Sequence, residues 1–364
     1  MIVVLLSFLT AFLIAYLGIP PIVRVASIRN IFDTPDERKT HKKAVPALGG
    51  VAMFAAVFFS VFFWSANIDF NHLRWIILAT FVVFLQGLKD DIVAVAPVKK
   101  IVAQVIVASI LVFAGNIRLM TLQDFLGIRE LNEWAGIMLS YVTIIGIINA
   151  FNLIDGVDGL AGSLGLLASV VFGTLFCLTG NFHLGIVSFS MAGAFLGFLR
   201  YNFSPASIFM GDGGSLVMGL LLSILTIKLI NMRLPVGYGV SSPLLALSIM
   251  IVPVTDTLRV CTLRMARGYS PFTADRNHIH HLLNDMGLNH KRITTLLVAV
   301  NVFFIAFACL LQELHPTVSV GIVVITAFAG CKTFEYAHRT HRKKGFAANA
   351  NQVAFGEGKK SATP

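Results

Sequence analysis

The sequence predicts an all-α integral membrane protein with about eleven transmembrane helices. Of its 364 residues, 56% are hydrophobic and only 13% are charged, whereas about 25% of the residues of a soluble domain are charged. Apolar windows of about 20 residues, long enough to cross the hydrocarbon core of a bilayer, recur from the first residue onward. The Lys and Arg residues collect in alternate connecting segments, as they do between membrane spans.

The spans follow these apolar windows in order along the chain. The first window has no Lys or Arg before it, so it lacks the basic start of a signal peptide and is expected to stay in the protein. The eleven predicted spans are 1–23, 45–66, 75–89, 100–117, 134–151, 160–179, 183–199, 214–232, 241–263, 293–312 and 316–332.

The distribution of basic residues predicts the orientation. With the amino terminus on the periplasmic side, 23 of the 28 Lys and Arg residues fall in cytoplasmic segments, and the carboxyl terminus lies in the cytoplasm. Cytoplasmic loops are enriched in Lys and Arg, so the net charge of +10 mainly reflects topology. Because the basic residues are dispersed between spans instead of being gathered on one domain, we expect no nucleic-acid partner.

Acidic residues gather at the predicted cytoplasmic face, although they played no part in assigning it. Asp90, Asp155, Asp212 and Asp256 lie at or near the inner ends of odd-numbered spans, and ionisable residues in such places are costly and therefore functional candidates. We expect one polytopic domain over 1–332 and a basic, disordered tail over 333–364. The cytoplasmic loops expected to form the active site are 24–44, 89–100, 152–159, 200–213 and 264–292.

Four polar residues recur at every third position where the fifth span ends: Asn149, Asn152, Asp155 and Asp158. Three residues turn an ideal helix through about 300°, so these side chains would fan over about half of its circumference. They converge only if the helix unwinds, which Gly156 favours. The pattern predicts a ligand or metal site more than a simple polar helix end.

The segment from Phe209 to Ser215 opens the eighth span with the sequence Phe-Met-Gly-Asp-Gly-Gly-Ser. Gly213 and Gly214 leave room for a phosphate, and unpaired N–H groups at a helix start attract anions. Asp212 beside them is a hard oxygen ligand suited to Mg²⁺ or Mn²⁺. The alternative interpretation is a turn with an N-cap.

Asp90 and Asp91 close the third span, and Lys99 and Lys100 open the fourth. Adjacent side chains on a helix diverge by about 100°, so the two carboxylates are expected to have different roles. One would act as a base or orient a phosphate, and the other would be structural or close to a metal. The lysines would hold a lipid phosphate or serve as ordinary interfacial anchors.

A histidine-rich loop follows the ninth span and contains Arg276, His278, His280 and His281. The His-x-His spacing invites a zinc site, but neither a Cys partner nor a His-Glu-x-x-His helix accompanies it. Recognition of a sugar or a pyrophosphate is favoured, because His and Arg side chains are suitable donors.

Four motif blocks together resemble the polyprenyl-phosphate N-acetylhexosamine-1-phosphate transferase superfamily, in the same order and over about residues 30–290. The blocks are Asp33-x-Pro35…Arg38…His41…Pro46…Gly49-Gly50, Lys89-Asp90-Asp91, Asn149-Ala-Phe-Asn152-Leu-Ile-Asp155-Gly-Val-Asp158-Gly, and Phe209-Met-Gly-Asp212-x-Gly-Ser215. The His278-Ile-His280-His281 loop resembles the sugar-selecting element of the WecA type, the UDP-GlcNAc:undecaprenyl-phosphate GlcNAc-1-phosphate transferases. The muramoyl-pentapeptide branch instead has three consecutive histidines. Gly213 stands where the WecA type usually has Ala.

The resemblance implies roles for residues at matching positions. Asp212 and Asn152 resemble the ligands of Mg²⁺ or Mn²⁺, and Asp90, Asp91 and Asp155 resemble the catalytic carboxylates.

Further positions match residues that hold the two substrates. Phe209 looks like the aromatic residue that stacks on uracil, with Asp158, Asn202 and Lys42 bonding the base. Lys100 resembles the lysine that contacts the lipid phosphate.

The implied reaction moves GlcNAc-1-phosphate from UDP-GlcNAc to undecaprenyl phosphate, giving undecaprenyl-pyrophosphoryl-GlcNAc and UMP. The resemblance sets it at the cytoplasmic face of the bacterial inner membrane, as the first membrane step of an O-antigen or enterobacterial-common-antigen type of polysaccharide. A homodimer is a candidate assembly. The alternatives are another UDP-hexosamine, or an ion-coupled transporter, since intramembrane carboxylates also serve transport. Direct attack by the lipid phosphate is favoured over a covalent intermediate on Asp155.

Overall fold

The computed structural model describes residues 1–29, 45–65, 70–234, 241–270 and 277–360, with the side chains of 70–72 and 343–360 outside that description. The helices before the hairpin are α1 (Ile2–Ile28), α2 (Gly49–Trp64), α3 (Phe70–Ile92) and α4 (Pro97–Ser109), which continues as a π-helical turn (Ile110–Ala114). Two short strands, β1 (Thr121–Phe125) and β2 (Ile128–Glu130), form an antiparallel hairpin. The remaining helices are α5 (Glu133–Ile154), α6 (Leu160–Leu178), α7 (Phe182–Asn202), α8 (Gly211–Ile230), α9 (Ser242–Ile249), α10 (Ile251–Ala266), α11 (Ile279–Asp285), α12 (His290–Leu310) and α13 (Pro316–Lys360).

The all-α membrane class is confirmed, but the count of eleven spans is not. Within the described part of the chain, eight helices are long and apolar enough to cross a membrane. Helices α9 and α10, which meet at a 75° bend, would together make a ninth. Helix α2 is a shorter apolar helix of 16 residues, and α3 has Lys89, Asp90 and Asp91 near its end. The orientation of the termini stays a prediction.

Two elements differ from the expectation. The β1–β2 hairpin lies between the fourth and fifth predicted spans, in a chain predicted to be all-α. The last predicted span, 316–332, is shorter than α13, which continues to Lys360. Phe334 packs against the hydrophobic core and Glu335 forms an ion pair with Arg259, so this stretch buries enough side chain to stay helical beyond the apolar window.

Helix α8 is the centre of the bundle, with 89% of its apolar window buried. It packs against α2, α3 and α5, and small residues allow the helices to come close. At Gly87 of α3, an added Cβ would lie 2.5 Å from the carbonyl oxygen of Asp212. This close approach places the end of α3 directly beside the start of α8.

Candidate active site

Polar side chains from four helix ends meet at one end of the bundle. Asp90 comes from the end of α3, Lys100 from the first turns of α4, Asn152 from the last turn of α5, and Asp212 from the first turn of α8. Each of these side chains contacts at least one of the others. The convergence expected from the sequence is therefore present, and we call these four residues the carboxylate cluster.

Lys100 forms the electrostatic centre of the carboxylate cluster. Its Nζ lies 2.7 Å from Oδ2 of Asp212 and also pairs with Oδ2 of Asp90. The other oxygen of Asp90 accepts a hydrogen bond from the N–H of Val95 at 2.6 Å, which ties the α3–α4 turn to the same group. One ammonium thus bridges two carboxylates, and we expect that position to attract a phosphate only when these bonds rearrange.

Asn152 connects the end of α5 to the carboxylate cluster by hydrogen bonds. Its Nδ2 donates to Oδ1 of Asp212 at 2.9 Å and to Oγ of Ser215 at 2.8 Å. Asn149, one turn earlier, instead exchanges hydrogen bonds with Gln104 of α4. The four polar residues at three-residue spacing therefore do not all face one centre, as the helical geometry predicted.

Asp91 points away from Lys100 and caps α8. Its Oδ1 accepts from the N–H of Asp212 at 2.7 Å, and its Oδ2 accepts from the N–H of Gly213 at 2.9 Å. In this structure a carboxylate therefore satisfies two of the N–H groups at the start of α8, and a phosphate site there stays a prediction. The different roles expected for Asp90 and Asp91 follow from their divergent directions on α3.

Asp155 lies where α5 ends, just beyond Ile154, so the helix unwinds at the point where Gly156 predicted it. Within the described residues its carboxylate accepts no hydrogen bond. Burial, followed by the negative charges of Asp212 and Asp91, raises the pKa of Asp155 well above its usual value. A carboxylate in this position has unused oxygen atoms for a cation or a substrate.

The residues proposed for uridine lie in the neighbouring loops. Asp158 accepts from the N–H of Ala206 at 3.2 Å, and its Oδ1 is 3.2 Å from Nδ1 of His290. Burial raises the pKa of Asp158, but the hydrogen bond and charge of His290 outweigh that effect, and the pKa lies below its usual value. An ionised carboxylate can accept a hydrogen bond from a uracil N–H.

Asn202 and Phe209 hold the backbone of these loops. The Oδ1 of Asn202 accepts from the N–H of Gly159 at 2.9 Å, and its Nδ2 donates to the carbonyl of Ile208 at 2.9 Å. Phe209 donates its backbone N–H to Pro46, and its ring is half-buried. Both polar atoms of the Asn202 amide are thus occupied by the backbone, while contact of either residue with a base stays a prediction. Lys42 lies outside the described residues.

The histidine loop packs against the end of α5. An added Cβ at Gly156 would lie 2.5 Å from Nε2 of His280, so His280 abuts the loop that carries Asp155. The ring centroids of His280 and His281 are 4.3 Å apart. Burial, with a smaller effect from His281, lowers the pKa of His280 to about 3, which leaves it neutral. Arg276 lies outside the described residues.

The sequence did not predict three contacts in and beside the histidine loop. His278 Nδ1 lies 2.9 Å from Oδ2 of Asp256, and Arg259 forms ion pairs with Asp256 and Glu335. Asp256 and Arg259 are three residues apart inside an apolar helix, a spacing that signals a pair. Glu335 gave no such signal, because its partner lies 76 residues away along the chain.

The donor atoms of the carboxylate cluster and of nearby Asp155 suit a divalent cation, although the described residues form no ready-made cage. Across the described residues, no three His, Cys, Asp or Glu side chains are close enough to share one metal ion. Asp90 and Asp212 nevertheless place hard carboxylate oxygens around the ammonium of Lys100, and the negative charges of Asp212 and Asp91 act on the buried Asp155. This excess of negative charge and the unused oxygens of Asp155 fit Mg²⁺ or Mn²⁺ in donor chemistry.

Comparison with known proteins fits this arrangement. The profile of glycosyl transferase family 4 matches residues 73–230, which include the whole carboxylate cluster. A probable undecaprenyl-phosphate N-acetylglucosaminyl 1-phosphate transferase of Bacillus subtilis is 30% identical over 330 residues, or 89% of each chain. The chain belongs to this family of polyprenyl-phosphate sugar-phosphate transferases.

Two other members of the family are comparably similar. The decaprenyl-phosphate N-acetylglucosaminephosphotransferase of Mycobacterium tuberculosis is 31% identical over 323 residues, covering 82% of this chain and 80% of its own. An undecaprenyl-phosphate alpha-N-acetylglucosaminyl 1-phosphate transferase of Haemophilus influenzae is 33% identical over 307 residues, covering 82% and 84%. The resemblance drawn from the four motif blocks is thereby confirmed. The chain is an enzyme, which removes the transporter alternative.

Proposed function

We propose that this transferase moves GlcNAc-1-phosphate from UDP-GlcNAc to undecaprenyl phosphate and releases UMP. The observation that carries the proposal is the convergence of Asp90, Lys100, Asn152 and Asp212 at one end of the helical bundle. The names of the relatives support the sugar and the lipid carrier. We further propose that this end of the bundle faces the cytoplasm of a bacterial inner membrane, where UDP-sugars are present.

In the proposed reaction an oxygen of the lipid phosphate attacks the β-phosphorus of UDP-GlcNAc. A new P–O bond forms to the lipid, the bond from the β-phosphorus to the bridging oxygen breaks, and UMP leaves with that oxygen and its electrons. Two anions must meet, so neutralising charge is the first requirement. A Mg²⁺ or Mn²⁺ ion held by Asp212 and Asn152 would neutralise the pyrophosphate, and Asp155 supplies further carboxylate oxygen nearby.

Lys100 is assigned to the lipid phosphate. Its ammonium already bridges Asp90 and Asp212, and a phosphate dianion would compete for it with two single carboxylates. The second pKa of a phosphate monoester is about 6, so the acceptor is largely ionised without a strong base. Asp90 would then orient the ammonium and the acceptor, and positioning would contribute more than proton transfer.

The uracil is assigned to the loops beside α5 and α7. Asp158 offers its carboxylate, and the half-buried ring of Phe209 offers a surface for stacking. Asn202 holds Gly159 and Ile208 in place around them. The histidine loop, adjacent to Asp155 through His280 and Gly156, is assigned to the hexosamine.

Direct attack by the lipid is preferred to a covalent intermediate. Asp155 would be the nucleophile of the two-step route, since its carboxylate accepts no hydrogen bond from the described residues. Its contacts with like charges equally suit a cation-binding role. A burst of UMP in the absence of lipid acceptor would support the intermediate, and its absence supports direct attack.

The deciding experiment measures UMP release by the purified protein in detergent with Mg²⁺ and a short polyprenyl phosphate. We expect release with UDP-GlcNAc and much less with UDP-GalNAc or UDP-muramoyl-pentapeptide. Preference for UDP-GalNAc would change the assigned sugar but retain the reaction. No release with any UDP-hexosamine, from protein that remains folded, would contradict the proposed function.

The reaction would be the first membrane step in the synthesis of a polysaccharide of the O-antigen or enterobacterial-common-antigen type. Complementation tests this assignment: expression of the chain in a bacterium that lacks its own first-step GlcNAc-1-phosphate transferase should restore the polysaccharide. Activity in detergent without restoration would exclude that pathway while leaving the reaction intact. The relatives use both undecaprenyl and decaprenyl carriers, so both lipids belong in the assay.

A further inference from the structure

A buried ion-pair network joins the last helix to the histidine loop and lies outside the carboxylate cluster. Arg259 of α10 donates from Nη1 to Oε1 of Glu335 on α13 at 2.7 Å. From Nη2 it donates to Oδ1 of Asp256 at 3.0 Å and to the carbonyl oxygen of Asn277. One guanidinium therefore connects two helices with the residue that precedes His278.

Asp256 connects Arg259 to the histidine loop. Its Oδ2 lies 2.9 Å from Nδ1 of His278, and its Oδ1 accepts from the N–H of Ile279 at 3.0 Å. His278 is the N-cap residue of α11, which begins at Ile279. The ring direction of His278 and the first turn of α11 thus depend on how Asp256 and Arg259 are held.

The side chains of this network are removed from water, which makes its geometry strict. Those of Arg259, Asp256 and Glu335 are 4%, 2% and 10% exposed. Buried charges require well-aligned partners, because an unpaired one is costly. The donor nitrogens of a guanidinium lie in one rigid plane. By holding Nη1 of Arg259, Glu335 therefore determines where Nη2 meets the carbonyl oxygen of Asn277.

Helix α13 also contacts α11, the helix that follows His278. His338 Nε2 lies 3.9 Å from Oδ2 of Asp285, at the end of α11. The stretch of α13 that carries Glu335 and His338 extends past the apolar window predicted at 316–332.

We propose that Glu335 is a positioning residue for sugar selection: by holding Arg259, it sets the carbonyl of Asn277 and the ring of His278 against the hexosamine of the UDP-sugar. The inference rests on the proposed function, in which the histidine loop faces the sugar. Glu335 acts through Arg259 and Asp256 and touches no substrate itself.

The test compares Glu335→Ala with Lys332→Ala in full-length purified protein. Lys332 contacts the other oxygen of the same carboxylate at 3.3 Å but is 69% exposed, so it is a matched control. The kcat/KM ratio of UDP-GlcNAc to UDP-GalNAc should fall about tenfold in Glu335→Ala, the effect of losing one charge-assisted hydrogen bond. The ratio should be unchanged in Lys332→Ala.

A second readout is independent of activity. Hydrogen exchange at the amide of Ile279, which donates to Asp256, should be faster in Glu335→Ala than in Lys332→Ala. Exchange in α6 and α7, which lie away from the network, should be equal in the two variants. If Glu335→Ala does not fold, Glu335→Gln, which keeps the acceptor oxygen but not the charge, replaces it in both measurements.

The outcomes separate this inference from the proposed function. Equal losses of kcat/KM for both sugars, with unchanged exchange at Ile279, would overturn the positioning role and leave the transferase intact. If the wild-type protein released no UMP with any UDP-hexosamine, the proposed function would fail. The exchange measurement would then still decide whether Glu335 holds the histidine loop.

Discussion

The ammonium of Lys100 lies 2.7 Å from Oδ2 of Asp212, so the first turn of α8 and the first turns of α4 share one charge pair. Their sequence positions are 112 residues apart. In the proposed reaction Lys100 leaves this pair to bind the lipid phosphate, and Asp212 would hold the metal ion on the pyrophosphate of the UDP-sugar.

Replacement of Lys100 should therefore affect the lipid more than the nucleotide sugar. We expect Lys100→Met to raise the apparent KM for polyprenyl phosphate by about 10- to 100-fold, the range for a lost hydrogen bond to a charged group. The exposed neighbour Lys99 provides the control, because Lys99→Met should change the apparent KM for polyprenyl phosphate little. An equal rise in the KM for UDP-GlcNAc would assign Lys100 to the pyrophosphate instead.

Replacement of Asp212 should weaken metal dependence and activity together. Asp212→Asn keeps the size of the side chain but removes the charge that faces Lys100, and a neutral amide binds a hard cation less well. We expect a lower kcat and a Mg²⁺ titration displaced to higher concentration. A Mg²⁺ titration that overlays the wild-type curve would remove Asp212 from the metal ligands.

Variants of Asp91 distinguish a role in capping α8 from a role in catalysis. Because its carboxylate accepts two N–H groups at the start of α8, Asp91→Ala should lower the free energy of unfolding by about 1–2 kcal/mol. Asp91→Asn keeps one acceptor oxygen and should lower the free energy of unfolding by less. Thermal unfolding in detergent measures both variants. Loss of activity without loss of stability would instead indicate that Asp91 acts directly on substrate, as the family resemblance implies.

Acidification should destabilise the protein through His280. Its pKa of about 3 in the folded protein lies below the ordinary value of 6.5, so the unfolded chain binds a proton that the folded chain excludes. The stabilising effect is fully present above pH 6.5 and is lost as pH falls toward 3, at up to about 1.4 kcal/mol per pH unit. Thermal unfolding from pH 8 to pH 5 should show a smaller decrease for His280→Gln than for the wild type. Parallel pH profiles would refute this.

Gly87 tests the close packing that brings α3 to α8. An added Cβ would meet backbone atoms of Asp212 and Gly213 at 2.5 and 2.6 Å, so Gly87→Ala must displace α8 relative to Asp91. We expect a marked loss of activity. Gly146→Ala is the control, since an added Cβ there meets no atom within 4 Å. Equal activity of the two variants would show that the helices can separate without cost.

Much of the architecture was predictable, because it depends on local composition. A helix lies in every window that the apolar pattern indicated, since backbone groups in a bilayer must be satisfied within each segment. The number of full spans was less predictable. A bend of 75° at Met250 divides one apolar window into α9 and α10, and the apolar composition of the two helices does not predict it.

The sequence by itself determined which polar residues are candidates for the chemistry and predicted that their helix ends meet, since alternating spans bring every second loop to the same face. Only the tertiary structure decided which partner each side chain takes: Asp90 pairs with Lys100, whereas Asp91 caps α8. It also decided that Glu335 lies against Arg259. The physical reason is that composition and periodicity report burial along one helix, while hydrogen bonds between helices depend on their relative position and rotation, which the packing of the whole bundle sets.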